Sequence, residues 1–346
     1  MTKRLTLARK EVFADKLAAQ LGKTRRKFEI PTPQRWYHFA NGTWTSSTPP
    51  TTPSTTTPPR ISVTTWNIDA IAPASERRMT AALSHLSDLH GSEDLPSIIF
   101  LQEMLDADIE QIKAAPWVRE RFFITDVEGN KSAMFGTTTL VDRRLDVREV
   151  FRVLYDKAAM QRDALFVDVA IGGDRILRLC NTHLESMAFT ERRRAQLQLA
   201  STYLHGPGCI PSPSDPTTTT ATDLPTPHAA ILAGDLNANS PEDQSLPAQN
   251  NLQDAFLVLG GQEDTDKGYT WGQQAPAHER EQFGCSRTDK VLFCGGVEVE
   301  SLRRIGEGVE AWVEYLQWSD EEEDEETGEN VWVSDHLGLK AVFRLV

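Results

Sequence analysis

Short apolar segments of strand length recur along the chain from residue 61 to residue 346. Each is rich in Ile, Val, Leu or Phe and is bounded by polar or turn-forming residues, which is the pattern of strands buried in a packed sheet. Gly172-Gly173-Asp174 separates two of them and is typical of a tight hairpin turn. The predicted strands are residues 61–68, 97–103, 164–171, 175–184, 228–237, 289–293 and 339–346.

Two other segments show the spacing of amphipathic helices. Apolar residues recur at i, i+3, i+4 and i+7 over residues 75–90, and Ser75 is the predicted N-cap. Residues 190–205 repeat this spacing and should end before Gly206, which is followed by proline. Helices interspersed with strands, including at least one hairpin, predict a layered α/β protein with mixed sheets.

Three segments lack either pattern. Residues 1–60 combine a basic arm with a Thr/Pro-rich linker, and we expect them to be largely disordered. Residues 206–227 and 319–330 are predicted to be disordered insertions, and the second contains the acidic run 320–326. The folded domain is therefore predicted to span residues 61–346.

Composition narrows the class of protein. Half of the net charge of −14 comes from the seven acids of the run at 320–326. An acidic protein is poorly suited to broad, sequence-independent binding of duplex DNA, which requires many phosphate contacts. The four cysteines are far apart and include no C-x-x-C pair, which argues against a zinc site. Neither a membrane span nor a secretory signal is expected, because no sufficiently long apolar run occurs.

Polar residues with catalytic chemistry fall at the ends of the predicted strands. Side chains can leave the core there and converge on a crevice. Two more precede the last strand, and if that strand is antiparallel to its neighbours, its start lies at the same edge of the sheets. The residues expected to meet there are Asn67, Glu103, His183, Asp235, Asp335 and His336.

These residue types suit hydrolysis of a phosphate ester assisted by a metal ion. Glu103, Asn67 and Asp335 offer hard oxygen ligands of the kind that Mg²⁺ prefers. Asp235 can orient or deprotonate a water molecule, and Asn237 can hold that water or a phosphate oxygen.

The two histidines complete this set. His183 and His336 can donate to the non-bridging phosphate oxygens as negative charge builds up in the transition state. Asp289 is the candidate carboxylate that fixes the tautomer of His336. The sequence contains no nucleophile motif such as Gly-x-Ser-x-Gly and no Walker loop.

Each of these residues alone has a simpler structural explanation. Asn67 would be a turn residue, His183 a hydrogen-bonded histidine at the edge of the core, and Asp335 another solvated acid near the run at 320–326. A binding module without activity, docking through the acidic run and the basic arm, is the alternative from a different class. The prediction of an enzyme depends on the joint occurrence of these residues in order.

Taken together, the motifs TTWNIDA, FLQEM, NTHLES, AGDLNANS, RTDKVLF and VSDHLGL resemble those of the endonuclease/exonuclease/phosphatase superfamily, the group of deoxyribonuclease I. Within it, TWNID, NTHLES and YTW at 269–271 look most like the 5′-tyrosyl-DNA phosphodiesterases. The resemblance implies a four-layer α/β sandwich with two mixed, mainly antiparallel β-sheets flanked by helices. It also implies dependence on Mg²⁺, with Mn²⁺ as a substitute, and release of tyrosine adducts from DNA 5′ ends in DNA repair.

By motif position, the resemblance makes Glu103 the main metal ligand and adds Ser186 as a phosphate contact. Trp271, in the YTW motif, becomes a candidate for substrate binding. The implied partner is DNA, single-stranded or at a 5′ end, that carries a protein or tyrosine adduct; a monomer is favoured. The expected location is the nucleus and/or the cytoplasm, and the basic N-terminus keeps mitochondrial targeting open.

Three positions depart from the pattern of the tyrosyl-DNA phosphodiesterases. Ala70 stands where they have Gly, Ala238 where an Arg follows the GDTN motif, and Leu337 where they have Trp. The residues for catalysis are retained, whereas those that would grip DNA are changed. Another nuclease or phosphatase of the superfamily, acting on RNA, nucleotides or lipid headgroups, is therefore the alternative activity.

Overall fold

The computed structural model describes residues 28–50, 58–129, 135–156, 158–210, 222–315 and 327–346. In this part of the chain the strands are β1 Thr32–Pro33, β2 Trp36–Ala40, β3 Thr43–Ser46, β4 Arg60–Asn67, β5 Ser97–Met104, β6 Phe122–Thr125, β7 Gly136–Asp142, β8 Asp146–Leu154, β9 Asp163–Ala170, β10 Ile176–His183, β11 Gly208–Ile210, β12 Thr222–Leu224, β13 Ala229–Asp235, β14 Gln253–Asp254, β15 Asp289–Gly295, β16 Val297–Ile305, β17 Glu310–Tyr315, β18 Thr327–Trp332 and β19 Gly338–Leu345.

The helices of the described residues are fewer and mostly short. They are α1 Ser75–His90, α2 Asp106–Ala114, α3 Pro116–Arg121, α4 Thr190–His205, α5 Leu246–Gln249, α6 Ala255–Val258 and α7 Ala277–Phe283, with one 3₁₀ helix at Pro241–Ser245. None of them is long and apolar enough to cross a membrane.

Two large sheets contain most of the strands. The first sheet has the order β1-β8-β9-β10-β13-β15-β14, and the second has the order β16-β19-β4-β5-β7-β6-β2-β3. Each sheet has one parallel pair near its centre, β10 with β13 in the first and β4 with β5 in the second. The remaining pairs in both sheets are antiparallel.

The sheets pack face to face, and the helices cover their outer sides. Ile61 and Val63 of β4 share one buried cluster with Leu179 of β10 and Ile231 of β13, so the central core lies between the sheets. Leu197 of α4 belongs to a second cluster on the outer side of the first sheet. Apolar residues of α1, α2 and α3 form a third cluster with the second sheet. The predicted four-layer α/β sandwich is confirmed.

The strands and helices predicted from apolar patterns are present with small shifts at their ends. β9 and β10 form the predicted antiparallel hairpin around Gly172 and Gly173. The last strand, β19, is antiparallel to β4, as the convergence of the site residues required. The predicted N-cap of the first helix is wrong, because Ser75 is its first helical residue and Ala74 precedes it with φ 59°.

The prediction that the folded domain begins at residue 61 is also wrong. β1 pairs with β8 in the first sheet, and β2 pairs with β6 in the second, so residues 32–46 belong to both. Trp36 and Tyr37 are buried, with 7% and 8% of their surface exposed. This short segment lies close to Thr/Pro-rich sequence, which obscured its apolar pattern. Residues 1–27 and 51–57 lie outside the described part of the chain.

The two insertions predicted to be disordered at 206–227 and 319–330 are partly wrong, because strands occupy part of each. β11 and β12 pair with each other and bury Ile210 and Leu224, whereas residues 211–221 lie outside the described residues. β17 and β18 form a second hairpin, so residues 327–330 are strand rather than disordered insertion. The acidic run at 320–326 lies outside the described residues.

Candidate active site

The ends of the central strands meet at one edge of the sandwich. Asn67 is the last residue of β4 in the second sheet, and Asp235 is the last residue of β13 in the first. The Asn67 Nδ2 atom donates to Asp235 Oδ2 at 3.0 Å, so the two sheets are joined by a hydrogen bond between site residues. Both side chains are buried, with 1% of each residue exposed. The structure therefore brings together residues that are far apart in the sequence.

His183 contacts Asp235 as a neutral donor. Its Nε2 atom lies 3.2 Å from Asp235 Oδ2, and its Nδ1 atom lies 2.8 Å from the Arg162 guanidinium. Since a guanidinium only donates, Nδ1 must accept and the proton is on Nε2. Burial lowers the pKa of His183, and the charge of Arg162 lowers it further.

His336 has the opposite charge state because it lies among carboxylates. Its Nδ1 atom is 2.8 Å from Asp289 Oδ2, and its Nε2 atom is 3.7 Å from Asp235 Oδ2 and 3.8 Å from Asp335 Oδ1. Burial alone would lower the pKa of His336, but Asp289, Asp235 and Asp335 raise it well above its ordinary value. These three carboxylates therefore favour the positively charged form of His336.

Asp235 is held in its anionic form by these neighbours. Burial raises the pKa of Asp235, but His336, His183 and the backbone N–H of Asn237 outweigh burial and hold the pKa well below the usual range. The Asn237 N–H donates to Asp235 Oδ1 at 2.8 Å. Asp235 also faces Asp289 directly across the β13–β15 pair, and this register places His336 between the two carboxylates.

Glu103 reaches the same space from β5. Its backbone has φ 59°, a left-handed conformation that costs a non-glycine residue about 1 kcal/mol and is common at functional sites. Its Oε2 atom accepts the N–H of Ala70 at 3.0 Å. The charge of Glu103 raises the pKa values of Arg162 and His183 against the effect of their burial, so its carboxylate lies near both.

Asp335 belongs to this site. Its Oδ2 atom accepts the indole N–H of Trp271 at 2.7 Å, and Trp271 also forms a backbone bridge to His336. Burial raises the pKa of Asp69, and the nearby charge of Asp335 raises it further, which places Asp335 beside the loop that follows Asn67. The predicted Trp271 is therefore adjacent to the predicted metal ligand.

Ser186 is less closely joined to the site. Its Oγ atom contacts the Met160 sulfur at 3.1 Å. The neighbouring Glu185 is fully buried and accepts the backbone N–H groups of Ala159 and Met160 at 3.0 and 3.2 Å. This contact anchors the segment before β9 against the NTHLES motif. The proposed contact of Ser186 with phosphate stays a prediction.

Sequence reasoning missed Arg162 and Arg78. Arg162 lies just before β9 and is buried, with 6% of its surface exposed. Arg78 lies on α1 with 1% of its surface exposed and donates to the carbonyl oxygens of Ile68 and Val333 at 3.0 and 2.8 Å. Arg78 therefore links the loop after Asn67 to the segment before His336.

Two sets of side chains at this edge of the sandwich offer donor atoms for a metal ion. Asp235, Asp289 and His336 have atoms within 4.8 Å of one another, a geometry that could hold a metal. However, His336 Nδ1 is hydrogen-bonded to Asp289, and the proton that the nearby carboxylates favour on His336 competes with a metal ion there. Glu103 and Asp335 offer further carboxylate oxygen atoms, which are the donors that hard cations prefer, whereas Asn67 Oδ1 accepts the Asp69 N–H at 3.0 Å.

The motifs and this geometry agree with the comparison to known families. The sequence model of the endonuclease/exonuclease/phosphatase family matches residues 64–336. The chain belongs to that family. Members of the endonuclease/exonuclease/phosphatase family are metal-dependent hydrolases, and the matched range includes every site residue from Asn67 to His336.

Curated relatives have similar sequences over the same region. The 5′-tyrosyl-DNA phosphodiesterase of Caenorhabditis briggsae is 28% identical over 243 residues, which is 68% of this chain and 60% of that protein. Its counterpart in Caenorhabditis elegans is 26% identical over 245 residues, or 69% and 59% of the two chains. The chain thus spans about 60% of the length of the curated relatives it matches.

Solved structures of the family have the same fold. The crystal structure of D. rerio TDP2 complexed with single strand DNA product aligns with a TM-score of 0.57 and 17% identity, covering 82% of this chain and 99% of that chain. The crystal structure of TDP2 from C. elegans has a TM-score of 0.55 and 21% identity, covering 82% and 75%.

Proposed function

We propose that this chain is a Mg²⁺-dependent phosphodiesterase that releases tyrosine from DNA 5′ ends. The observation that carries the proposed reaction is the position of Asp235, an anion held between a neutral His183 and a positively charged His336. A carboxylate in this state can orient an attacking water, while the two histidines supply donors for a phosphate. Family membership and the names of the curated relatives support the reaction and the substrate, respectively.

In the proposed reaction a water oxygen attacks phosphorus and the bond from phosphorus to the leaving oxygen breaks. Asp235 accepts the proton of the water. The Asn237 N–H donates to Asp235 Oδ1 and so orients that carboxylate. His336 donates to a non-bridging oxygen, and Asp289 keeps the imidazolium aligned. Glu103, Asn67 and Asp335 would hold Mg²⁺, which when bound neutralises charge on the phosphate.

A tyrosine leaving group suits this site chemically. The pKa of a phenol is about 10, so it departs as a phenolate with less need for a proton than a sugar alkoxide. Trp271 is partly exposed beside Asp335, and its ring centroid lies 6.4 Å from that of Phe283, which is 64% exposed. Exposed aromatic faces of this kind stack on bases of single strands and on other rings.

The departures from the family pattern have different structural consequences. Leu337 has only 1% of its surface exposed and its N–H donates to Thr270 O at 2.6 Å, so this position presents little side chain to a substrate. Ala238 lacks the cationic side chain of the family pattern. The residues that would contact DNA therefore differ from those of the family pattern. A different phosphate ester is for this reason the second candidate substrate.

The test is a substrate panel with Mg²⁺. We expect a 5′-tyrosyl oligonucleotide to give a 5′-phosphate product faster than a plain single strand, a mononucleotide or an inositol phosphate. Glu103→Gln should lower the rate on the order of a hundredfold or more. Faster turnover of another member of the panel would overturn the substrate and keep the reaction. Unchanged turnover by Glu103→Gln would overturn the site.

A further inference from the structure

The β17–β18 hairpin presents two tryptophans that the proposed reaction does not use. Trp312 lies opposite Asn330 in the antiparallel pair, and Trp332 lies opposite Glu310. Because side chains two apart in a strand point to the same face, both indoles lie on one face as diagonal neighbours. They have 51% and 41% of their surface exposed. Large exposed aromatic residues grouped in this way are typical of binding surfaces.

The opposite face of the hairpin is anchored to the domain. Ala311 lies on this opposite face and is 4% exposed. Val313, two residues further on, lies on the same face and is half-buried. β17 packs against α1 of the domain. The hairpin is thus a supported platform with one face turned outward.

Gly328 allows the Trp312 ring to lie across the neighbouring strand. A Cβ atom at Gly328 would come within 2.4 Å of the Trp312 indole. The absence of a side chain there leaves room for the indole, which still has 51% of its residue's surface exposed.

The charge on this face indicates what the partner carries. Glu310 and Glu314 flank Trp312 at alternate positions of β17, so the face combines aromatic rings with carboxylates, and Arg77 of α1 lies 3.7 Å from one of them, Glu314. Carboxylates repel nucleic acid phosphates and anionic lipid headgroups. Lysine and arginine side chains complement both the carboxylates and the indole rings, because they pair with carboxylates and are attracted to indole faces by cation–π interaction.

We propose that the outward face of the β17–β18 hairpin, formed by Glu310, Trp312, Glu314 and Trp332, binds a lysine- or arginine-rich segment of another polypeptide. Trp332 is three residues before Asp335 in the sequence, and Val333 between them is held by Arg78. The surface is therefore joined to Asp335 by only two residues, Val333 and Ser334. The acidic run that joins the two strands is not part of the proposed surface.

The test uses the full chain and a short fluorescein-labelled peptide of alternating lysine and serine, followed by fluorescence anisotropy. We expect saturable binding that the double variant Trp312→Ala/Trp332→Ala weakens by about tenfold. The variant Glu310→Lys/Glu314→Lys, which keeps both tryptophans, should weaken binding at least as much. Leu259→Ala removes an exposed apolar side chain elsewhere and should bind as the wild type does.

Circular dichroism and a thermal melt show whether each variant is folded, and the charge variant tests the surface even if the tryptophan variant unfolds. Equal binding by the folded tryptophan variant would overturn the proposal. So would binding that is lost only when the acids of residues 320–326 are replaced by their amides, because the run alone would then be the site. Peptide binding that appears only after removal of residues 1–27 would assign the surface to the chain's own basic arm instead.

Discussion

The two histidines beside Asp235 differ in charge because their Nδ1 atoms have different partners. Arg162 donates to His183, which makes that ring a neutral donor, and Asp289 accepts from His336, which makes that ring a cation. The pKa of His183 falls on burial, whereas the pKa of His336 rises because three carboxylates surround it. Each outer partner therefore determines what its histidine contributes to the reaction.

Replacement of Asp289 by asparagine should remove the positive charge of His336. The amide cannot stabilise an imidazolium as a carboxylate does, so we expect kcat to fall by roughly 10²- to 10⁴-fold. The Mg²⁺ concentration for half-maximal rate should stay the same. A matched control is Asp168→Asn, because Asp168 is an equally buried carboxylate paired with Arg178 away from the site. A shift in the Mg²⁺ requirement with an unchanged maximal rate would instead make Asp289 a metal ligand.

Replacement of Arg162 by alanine should release His183 from its fixed tautomer. The Nδ1 atom loses its donor at 2.8 Å, and the Nε2 proton no longer has to point to Asp235. We expect kcat to fall about 10- to 100-fold, as for other residues that orient an active-site side chain. The control is Arg175→Ala at an exposed position in the turn before β10, which should leave kcat unchanged. Equal rates for both variants would contradict this role.

The side chains at strand ends could be predicted because each follows or precedes an unmistakable apolar run. The residues that hold these side chains in place could not be predicted. Arg162 and Arg78 act by donating to groups that are brought near only by the packed sheets, and no spacing in the sequence marks those partners. Asp335 was expected at this edge from its place just before the last strand, and its contact with Trp271 became visible only in the fold.

At the scale of elements, a buried polar cluster joins the end of α1 to the second sheet. Glu93, just after α1, accepts from Ser97 of β5 at 2.8 Å and lies 2.8 Å from both His90 Nδ1 and Lys340 Nζ of β19. Burial raises the pKa of Glu93, but these partners outweigh burial and lower the pKa to about 2.

This cluster predicts a pH-dependent loss of stability. The lowered pKa of Glu93 contributes stability above the ordinary value of 4.5 that is lost as pH falls towards about 2. Glu93→Gln should therefore lower the free energy of unfolding by about 2–3 kcal/mol at pH 7, with the difference from wild type shrinking in acid. Denaturant unfolding at pH 7 and at a pH near 2 measures this difference in the free energy of unfolding. The exposed Glu120→Gln should change stability by less than about 0.5 kcal/mol. A difference that is the same at both pH values would refute the cluster as its source.

The close pairing of β10 and β13 depends on Gly234. A Cβ atom there would lie 1.8 Å from the Thr182 carbonyl oxygen, and φ is +154°. We expect Gly234→Ala to destabilise the fold by more than about 3 kcal/mol or to prevent folding. Gly173→Ala, in the exposed hairpin turn at φ +58° with no atom within 4 Å, should cost only about 1 kcal/mol. Thermal melts of the two variants compare them; similar losses would contradict the steric explanation.

At the scale of the whole molecule, the segment before residue 60 ties the two sheets together. β1 extends the first sheet and β2 the second, and Trp36 lies in the core between them. Trp36→Ala should lower the free energy of unfolding by about 3–5 kcal/mol. Phe28→Ala, at a position that is 41% exposed, should cost less than about 1 kcal/mol. Denaturant unfolding measures both losses. A small loss for Trp36→Ala would instead indicate a domain that begins at residue 61.

The predicted strands are those whose burial on both faces gives a continuous apolar run. Strands at or near the edges were missed, and so were β7 and β8 inside the sheets, where Thr, Asp, Arg and Glu residues interrupt the apolar ones. β16 alternates between exposed and buried residues and carries charges, and β2 is only five residues long beside Thr/Pro-rich sequence. Pairing with a neighbour defines such strands, and that neighbour is distant in the sequence. The layer order followed from the resemblance, whereas the entry of residues 32–46 into both sheets required the structure.

The position of β19 has a consequence for how the protein is made. β19 lies between β16 and β4, and its residue Leu339 pairs with Thr65 near the other end of the folded chain. On the ribosome, β4 therefore keeps an unpaired apolar edge until residue 345 has emerged, which is the condition that favours aggregation. Contacts so distant in the sequence also form slowly. His336 arrives with that same strand, so the nascent chain acquires the last residue of its candidate site only as its second sheet closes.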